Sequence, residues 1–416
     1  MTEPPAGPAA EAQVDPRLLV REQGFAGYLG EFKRRVKGGE LGSLPVVVGL
    51  IVIWLIFQTL NSQFLSAQNL SNLSVDIVAT GLISVGIVFV LLLGEIDLSA
   101  GAVSGACAAV LAVLNVNNGW NPFLAIVVAV AVGAVMGLIH GFFFAKIGVP
   151  SFVVTLAGML AWTGFQLWVL GPNGTINLPD NGLVSELTST YFGYVIAAYG
   201  LAAVATALFF FVSWVGNNRR RAAGIPTRTM GDLVFRTAVL GVVAFGAAYV
   251  LNLYKGLPLA LLIFLAVVVI TDFVQRRTRY GRSIFAVGGN IEAARRAGIN
   301  VAFIRISVFV ISGSFAAIGG IFAASRISSA SQATGQSNVL MMAIAAAVIG
   351  GTSLFGGRGT TYSALLGMLV IQSIASGMAL QGVSNSIQFM VTGAVLLAAV
   401  VIDSVSRRSQ KASGRA

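Results

Sequence analysis

Residues 75–93 read VDIVATGLISVGIVFVLLL, and this run decides the fold. The fourteen residues that precede Gly94 carry no charge. A helix of about 20 apolar residues is long enough to cross the roughly 30 Å of hydrocarbon in a bilayer. The run therefore predicts a membrane-spanning helix.

The same pattern recurs along the chain. Hydrophobic residues make up 56% of the 416 residues, charged residues make up 10%, and the mean hydropathy is +0.86. The sequence predicts an all-α, polytopic transmembrane helical bundle with about 10–12 spanning helices. Two blocks rich in small residues, 98–116 and 338–352, are expected to be broken or half-crossing. The other apolar blocks are 44–60, 121–145, 150–170, 191–215, 232–253, 256–274, 304–324, 362–380 and 385–402.

The net charge of +11 raises the question of nucleic-acid binding, but the basic residues cluster at the ends of apolar blocks. If every block crosses once, all basic residues except Lys255 and Arg326 fall on one side. Basic residues accumulate on the cytoplasmic side of membrane proteins. The pattern predicts a multi-pass membrane protein with both termini in the cytoplasm and no nucleic-acid partner.

Three regions are predicted. Residues 1–40 form a cytoplasmic tail, in which 17–37 have the spacing of an amphipathic helix that lies on the bilayer surface. Residues 41–405 form the transmembrane domain, and residues 406–416 form a second cytoplasmic tail. The first residues, 1–16, lack the basic-then-apolar pattern of a signal peptide.

The segment 275–305 is basic and punctuated by glycine. Asn290 has the position of a helix N-cap, Glu292 lies in the first turn, and Gly298 can end the helix in the left-handed conformation. The expected product is a short helix at the membrane surface with a small apolar knob formed by Ile291, Ala294 and Ala297. Such a knob suits docking into another protein, and an ordinary basic loop is the alternative.

Glu95 and Asp97 are acidic residues next to a long apolar block. A carboxylate inside the bilayer costs at least about 2.5 kcal/mol and tends to face a cavity or a partner. We therefore expect Glu95 and Asp97 to act in gating, in the solute pathway or in a structural ion pair. The alternative is that both lie at the surface and that Asp97 caps the helix that begins near Ser99.

Two glycine-interrupted segments resemble each other. Residues 94–101 align with 350–357, with Gly94, Leu98 and Gly101 matching Gly350, Leu354 and Gly357. Paired interruptions of this kind mark transport pathways that are built from broken helices. The glycines expected at the breaks are Gly94, Gly101, Gly350, Gly351, Gly356 and Gly357.

Other polar residues lie deep in apolar blocks. Trp162, Gln166, Asn252 and Gln372 suit contact with a hydroxylated solute, and helix–helix hydrogen bonding is the alternative for each. The one histidine, His140, could relay protons or could simply pack against a neighbouring helix.

Catalytic and metal-binding motifs are absent from the sequence. Residues 356–361, GGRGTT, lack the lysine of a phosphate-binding loop, and no other Walker motif occurs. The single cysteine, Cys107, excludes an intramolecular disulfide. The chain is therefore expected not to be an enzyme and to bind no metal.

Taken together, the motifs resemble those of permease subunits of ATP-binding-cassette (ABC) importers. Residues 292–298, EAARRAG, match the EAA-x-x-x-G coupling motif of that family. Residues 281–290 (GRSIFAVGGN), 94–99 (GEIDLS) and 350–359 (GGTSLFGGRG) are similar to the branch that imports ribose, xylose, arabinose and related sugars. The similarity covers roughly 75–402. Glu95 departs from the pattern, because the branch more often has glycine there.

The resemblance implies a mechanism. Additional blocks within about 216–274 make the chain most similar to xylose permeases, which implies import of xylose or another pentose. Two permease subunits, expected to be identical, line one pathway, and a periplasmic sugar-binding protein docks outside. A separate cytoplasmic ATPase binds ATP and Mg²⁺, and this chain binds no cofactor. The residues implied in ATPase coupling are Gly289, Asn290, Glu292, Ala293, Ala294, Arg295 and Gly298.

A second hypothesis from the residues alone is a proton-coupled sugar transporter that uses Glu95, Asp97 or His140. It predicts uptake by this chain without an ATPase. The ABC hypothesis predicts uptake only with ATP and the ATPase present.

Overall fold

The computed structural model describes residues 44–224, 227 and 229–412. The amphipathic helix predicted over 17–37 lies outside these residues. Helices account for most of the described chain. In the first half they are α1 (Leu44–Leu60), α2 (Ala67–Leu92), α3 (Ala100–Ala112), α4 (Pro122–Phe142), α5 (Ser151–Leu170) and α6 (Leu183–Ser189).

The second half is helical in the same way. Its helices are α7 (Val195–Ala222), α8 (Met230–Asn252), α9 (Leu259–Arg277), α10 (Arg279–Gly289), α11 (Ile291–Arg296), α12 (Val301–Ile327), α13 (Ser337–Ile349), α14 (Tyr362–Leu380) and α15 (Asn385–Ala412). Four short strands complete the structure: β1 (Thr175–Asn177), β2 (Tyr191–Phe192), β3 (Leu257–Pro258) and β4 (Ser329–Ser331).

Local sequence sets several helix boundaries. Ser66 caps α2 by accepting from Asn69 N, and Asn300 caps α12 by accepting from Phe303 N at 3.0 Å. Asn121 accepts from Phe123 N, and the following Pro122 occupies the first turn of α4, where its missing N–H costs nothing. These caps satisfy backbone N–H groups that a helix start would otherwise leave unpaired.

Among the described residues, nine helices are long and apolar enough to cross a bilayer. The predicted polytopic all-α bundle is therefore confirmed. Three further apolar helices are shorter: Leu44–Leu60, Asn338–Ile349 and Asn385–Ala398. The predicted block 98–116 corresponds to α3, which a π-helical turn (Val113–Asn117) extends to a length sufficient to cross. The 13-residue α13 spans only about 20 Å, which is shorter than the hydrocarbon of a bilayer; that it is half-crossing remains a prediction.

The described residues belong to two compact units. The smaller unit contains those within 198–249, where Tyr199 stacks on Phe245 and Arg236 pairs with Asp232 at 3.1 Å. The larger unit contains those within 44–197 and 250–412 and holds all the candidate functional residues.

The larger unit is built around α2. Every residue from Gly81 to Leu93 is buried, and α12, α13 and α14 pack around this helix. Glycines permit the close contacts: a Cβ on Gly86 would lie 3.1 Å from the Ser312 backbone in α12. Small residues let helices approach closely where lipid provides no hydrophobic driving force between them.

The connections of the larger unit gather at two ends. At the strand end, β1 pairs with β4 (Thr175 opposite Ser331), β2 pairs with β3 (Tyr191 opposite Pro258), and Asn61 donates to Leu380 O at 3.0 Å. At the arginine-rich end, the turn after α2, the end of α4, the segment 278–305 and the loop 350–361 meet. The loops that the sequence analysis placed on one side therefore lie together. The cytoplasmic location of the arginine-rich end remains a prediction from charge.

Candidate coupling segment and buried polar network

The segment 279–298 contains two short helices at the arginine-rich end. Thr278 caps α10 by accepting from Gly281 N at 3.1 Å, and α10 buries Ile284 and Val287 against the bundle. Asn290 caps α11 by accepting from Ala293 N at 2.9 Å. The chain leaves α11 through Gly298 with φ +80°, as the sequence predicted.

The prediction that Ile291, Ala294 and Ala297 form an apolar knob facing another protein is wrong. Ala294 is buried and Ile291 is half-buried, because both side chains pack onto the larger unit; of the three predicted residues, only Ala297 is exposed. The solvent-facing side of α11 instead carries Glu292 and Arg295, which form an ion pair at 3.0 Å. The exposed surface of this helix is therefore charged, with Ala293 and Ala297 as its small apolar positions.

Tyr280 holds α10 against α12. Its hydroxyl hydrogen-bonds Ser307 Oγ at 2.8 Å. Burial raises the pKa of Tyr280, against the smaller opposing effect of the Ser307 hydrogen bond, so the phenol stays protonated at neutral pH. The segment is consequently attached to the start of a long central helix.

A glycine junction joins the same segment to α2. Gly357 donates its N–H to Leu92 O at 2.9 Å. Gly288 of α10 packs directly on Leu92 O, where a Cβ would clash with backbone, and Gly356 packs on Gly94. The predicted break glycines Gly94, Gly356 and Gly357 therefore meet in space, and they meet against the candidate coupling segment.

A non-helical segment precedes each of the helices α3 and α13, and the one before α13 packs against α3. Residues 93–99 lead back into the bundle before α3 begins, and residues 332–336 enter from the strand end before α13 begins. A Cβ on Gly101 would lie 2.8 Å from Gly335 O, and one on Gly105 would clash with Thr334 O. The helices that follow these two segments are the two that the sequence predicted to be broken or half-crossing.

Asp97 lies at the centre of a buried network. Its side chain is 3% exposed and accepts three hydrogen bonds: from Ser99 N at 2.9 Å, Ser99 Oγ at 2.6 Å and Ser312 Oγ at 2.8 Å. Ser312 is near the middle of α12, so Asp97 lies well below the arginine-rich end. Ser99, and not Asp97, occupies the N-cap position of α3, so the alternative prediction that Asp97 lies at the surface and caps this helix is wrong.

His140 extends this network to two more helices. Ser99 Oγ lies 3.2 Å from His140 Nδ1 in α4, and Trp162 in α5 donates its indole N–H to His140 Nε2 at 2.8 Å. The imidazole is buried and is hydrogen-bonded through both nitrogens. This arrangement agrees with the predicted packing role of His140.

Glu95 forms a second cluster nearer the arginine-rich end. Ser151 Oγ, at the start of α5, donates to Glu95 Oε2 at 2.6 Å. Arg305, in the second turn of α12, lies 3.9 Å from Glu95 Oε1 and over the Phe144 ring at 4.5 Å from its centroid. Glu95 thus contacts the helix that directly follows the coupling segment. A cleft of about 320 Å³ lies beside this cluster, lined by Ala145, Arg295, Ile299, Asn300, Val301, Ala302 and Arg305.

The remaining pathway candidates are dispersed. Gln166 is buried, and its amide donates to Ser331 O and Thr334 O, each at 2.9 Å, which holds the chain around β4. Asn252 lies at the strand end of α8, and Gln372 lies half-exposed on α14. The structure therefore brings Glu95, Asp97, Ser99 and Trp162 together and leaves these three apart.

Sequence reasoning missed several members of the clusters. Ser151, Ser312 and Phe144 looked unremarkable, because hydroxyls and aromatic rings are common in membrane helices and their partners are distant in the chain. Asp76 lies in the apolar run 75–93 of α2 and was also missed, although a charge within an apolar run is a usable signal. Within the part of the chain that the structure describes, no group of three or more His, Cys, Asp or Glu residues could hold a metal.

A polytopic helical bundle with a charged, capped surface helix and interrupted helices at its centre has the architecture of a membrane transport permease. The chain belongs to the family described as branched-chain amino acid transport system / permease component, whose model matches residues 69–400.

Relatives with named functions cover most of the chain. The xylose transport system permease protein XylH of Escherichia coli K12 is 39% identical over 77% of this chain and 81% of its own length. The protein of the same name from Haemophilus influenzae is 35% identical, over 77% and 84%. The ribose import permease protein RbsC of Escherichia coli K12 is 33% identical, over 76% and 78%. No solved structure matches the chain significantly.

Proposed function

We propose that this chain is the permease subunit of an ABC importer that moves a pentose, xylose first among candidates, into the cytoplasm. The observation that carries the proposal is the extent of the similarity to xylose transport permeases, which covers more than three quarters of both chains. The ribose import permease is similar over a comparable length at lower identity. A five-carbon sugar is the substrate class that these relatives share.

The coupling segment is the surface through which an ATPase would act on the permease. A separate cytoplasmic ATPase, which carries ATP and Mg²⁺, would dock on the exposed charged side of α11. Its movement would pass through the Gly288–Leu92 contact into α2 and through Arg305 to Glu95. Because these contacts are rigid backbone or half-buried side chains, a displacement of α11 reaches the central helices with little loss.

The remaining partners follow from the same proposal. A periplasmic sugar-binding protein docks at the strand end, and a second copy of this chain completes the pathway in the inner membrane. The chain itself is not an ATPase and binds no cofactor. Both termini lie in the cytoplasm, as the charge distribution favours.

The test uses proteoliposomes that hold the permease, its ATPase and the sugar-binding protein. Glu292→Arg reverses the exposed charge of α11, and Gly298→Val places a β-branched residue at φ +80°, which glycine tolerates and valine does not. Both variants should insert normally but lose ATPase binding and xylose uptake. Glu186→Arg, an exposed charge reversal at the strand end, is the control for ATPase binding and should retain it. Full uptake by both coupling variants would contradict the proposal.

The proton-coupled alternative is tested in the same vesicles. It predicts xylose uptake by the permease alone when a proton gradient is imposed. The ABC proposal predicts no accumulation under that condition and accumulation when ATP and the ATPase are supplied.

A further inference from the structure

One face of α2 is polar along its outer half. Asn69, Asn72, Asp76 and Thr80 recur three or four residues apart, which places them on one side of a helix. All four are half-exposed, whereas every residue from Gly81 to Leu93 is buried. The polar face therefore extends about 16 Å from the strand end and stops halfway along the helix.

Two neighbouring helices form the sides of this face. On one side, Arg326 near the end of α12 pairs with Asp76 at 2.9 Å, and the two side chains remain 38% and 32% exposed. On the other side, Ser376 of α14 donates to Asn69 Oδ1 at 2.9 Å. Gln372 lies one turn inward from Ser376 on the same half-exposed side of α14. Polar groups of α12 and α14 therefore border the half-exposed polar face of α2 on both sides, and we call this strip the groove.

The short helix α13 closes the groove at its inner end. Ser84, one turn beyond Thr80, donates to Ala343 O of α13 at 2.8 Å. From this level inward, α2 is covered by protein. The groove is therefore exposed at the strand end and covered by protein toward the arginine-rich end.

Contact with lipid hydrocarbon would be energetically unfavourable for the polar face of α2. An acidic or basic side chain at the centre of a membrane helix costs at least about 2.5 kcal/mol by insertion scales, and such residues usually face a cavity or a partner. In residues 44–224 and 229–412, the side chains of Asn72 and Thr80 form no hydrogen bond to another described residue. Amides, hydroxyls and a carboxylate–guanidinium pair are the groups that bind sugar hydroxyls.

We propose that the solute enters along this groove, with Asn72, Asp76 and Thr80 of α2, Arg326 of α12 and Gln372 of α14 contacting a polyhydroxylated molecule. The proposal rests on the proposed transport function, and it adds the residues that line the outer path. It also separates this path from the Asp97–His140 network, whose polar groups are already engaged with one another.

Cysteine labelling tests whether the groove holds water. The sole native cysteine, Cys107, is buried and would be replaced by alanine in every variant. Asn72→Cys and Thr80→Cys lie five and thirteen residues into α2 from its strand-end terminus, and Val127→Cys and Val135→Cys occupy the same positions in α4. The two valines are 48% and 53% exposed and lie on an apolar surface.

A hydrophilic, membrane-impermeant maleimide would be applied to the permease in phospholipid vesicles. The groove cysteines should react at least about tenfold faster than their α4 counterparts, because thiolate formation requires water. Equal rates within each pair, or unreactive cysteines at 72 and 80, would overturn the groove as a water-filled path.

Transport separates this inference from the proposed function. With the ATPase and binding protein present, unlabelled Thr80→Cys should import xylose more slowly than the Cys107→Ala parent, because it lacks one hydroxyl contact to the solute. Its uptake is the reference for the labelled protein, which should lose about 90% or more of it because the bulky adduct fills the path. Labelled Val135→Cys should keep its uptake. Undiminished uptake by labelled Thr80→Cys would refute the groove while leaving the importer intact. Fast labelling of the groove with no xylose uptake by any variant would support the groove and refute the assignment of xylose as the substrate.

Discussion

Trp162 donates its indole N–H to His140 Nε2 at 2.8 Å, and this bond fixes the tautomer of the imidazole. Because an indole nitrogen can only donate, Nε2 must accept, and the ring proton resides on Nδ1. His140 then donates toward Ser99 Oγ, and Ser99 donates to Asp97. The four residues form one directed chain of hydrogen bonds that joins the segment before α3 to α4 and α5.

Trp162→Phe should therefore destabilise the permease. The ring area is largely kept, but His140 Nε2 loses its donor in a buried site, which costs about 1–3 kcal/mol. Thermal unfolding in detergent measures the effect. Trp168→Phe is the matched control, since it makes the same change on the same helix at a side chain that is 78% exposed. Equal midpoints for the two variants would show that the indole bond contributes nothing.

Asp97→Ala should be more damaging than Asp97→Asn. Alanine leaves Ser99 N–H and the hydroxyls of Ser99 and Ser312 without their buried acceptor, at a cost of about 3 kcal/mol or more. Asparagine keeps one carbonyl oxygen and should lose roughly half as much. Unfolding midpoints rank the variants, and Asp180→Ala in an exposed loop should leave the midpoint unchanged. The reverse order for alanine and asparagine would contradict the network.

Substitution by alanine should have different effects at the two adjacent glycines of the junction, Gly288 and Gly289. Gly288→Ala places a Cβ against Leu92 O, so α10 must move away from α2, whereas the Cβ of Gly289→Ala points into open space. Gly288→Ala should uncouple xylose uptake from ATP hydrolysis by tenfold or more, about 1.4 kcal/mol. Gly289→Ala should keep the wild-type ratio of sugar to ATP, because its methyl group displaces no backbone and an effect on ATPase docking changes the rate rather than this ratio. The ratio of sugar imported to ATP consumed is the readout. Normal coupling in Gly288→Ala would show that the junction does not transmit movement.

Arg305→Lys should lower stability even though it conserves the charge. Lysine lacks the planar guanidinium that lies over Phe144, a contact worth about 0.5–2 kcal/mol. The stability lost on Arg305→Lys should be smaller when the substitution is made in a Phe144→Leu background. This double-mutant cycle isolates the contribution of the ring contact. The Glu95 pair, at 3.9 Å with both side chains 20% exposed, should contribute no more than about 1 kcal/mol in its own cycle. An Arg305→Lys cost that is unchanged without the ring would rule out the stacking.

The sequence alone determined the membrane class, the number of apolar helices and the cap and glycine of α11. These properties are local, because each depends only on residues that are close in the chain. They are the length of an apolar run, an asparagine at the start of a helix and a glycine at its end. The sequence predicted residues 338–352 to be broken or half-crossing because they are rich in small residues, and the helix that forms there, α13, has only 13 residues. The family followed from motifs that are short and contiguous.

Only the tertiary structure decided what the polar residues contact. Asp97 depends on Ser312, more than two hundred residues away, and Glu95 depends on Ser151 and Arg305. The direction of α11 was wrong in the sequence analysis because Ile291 and Ala294 find their apolar partners in the larger unit rather than in another protein. The groove along α2 has the same origin. A polar stripe is visible in the chain, but which part of it stays open depends on where α12, α13 and α14 pack, and packing partners are not encoded in local spacing.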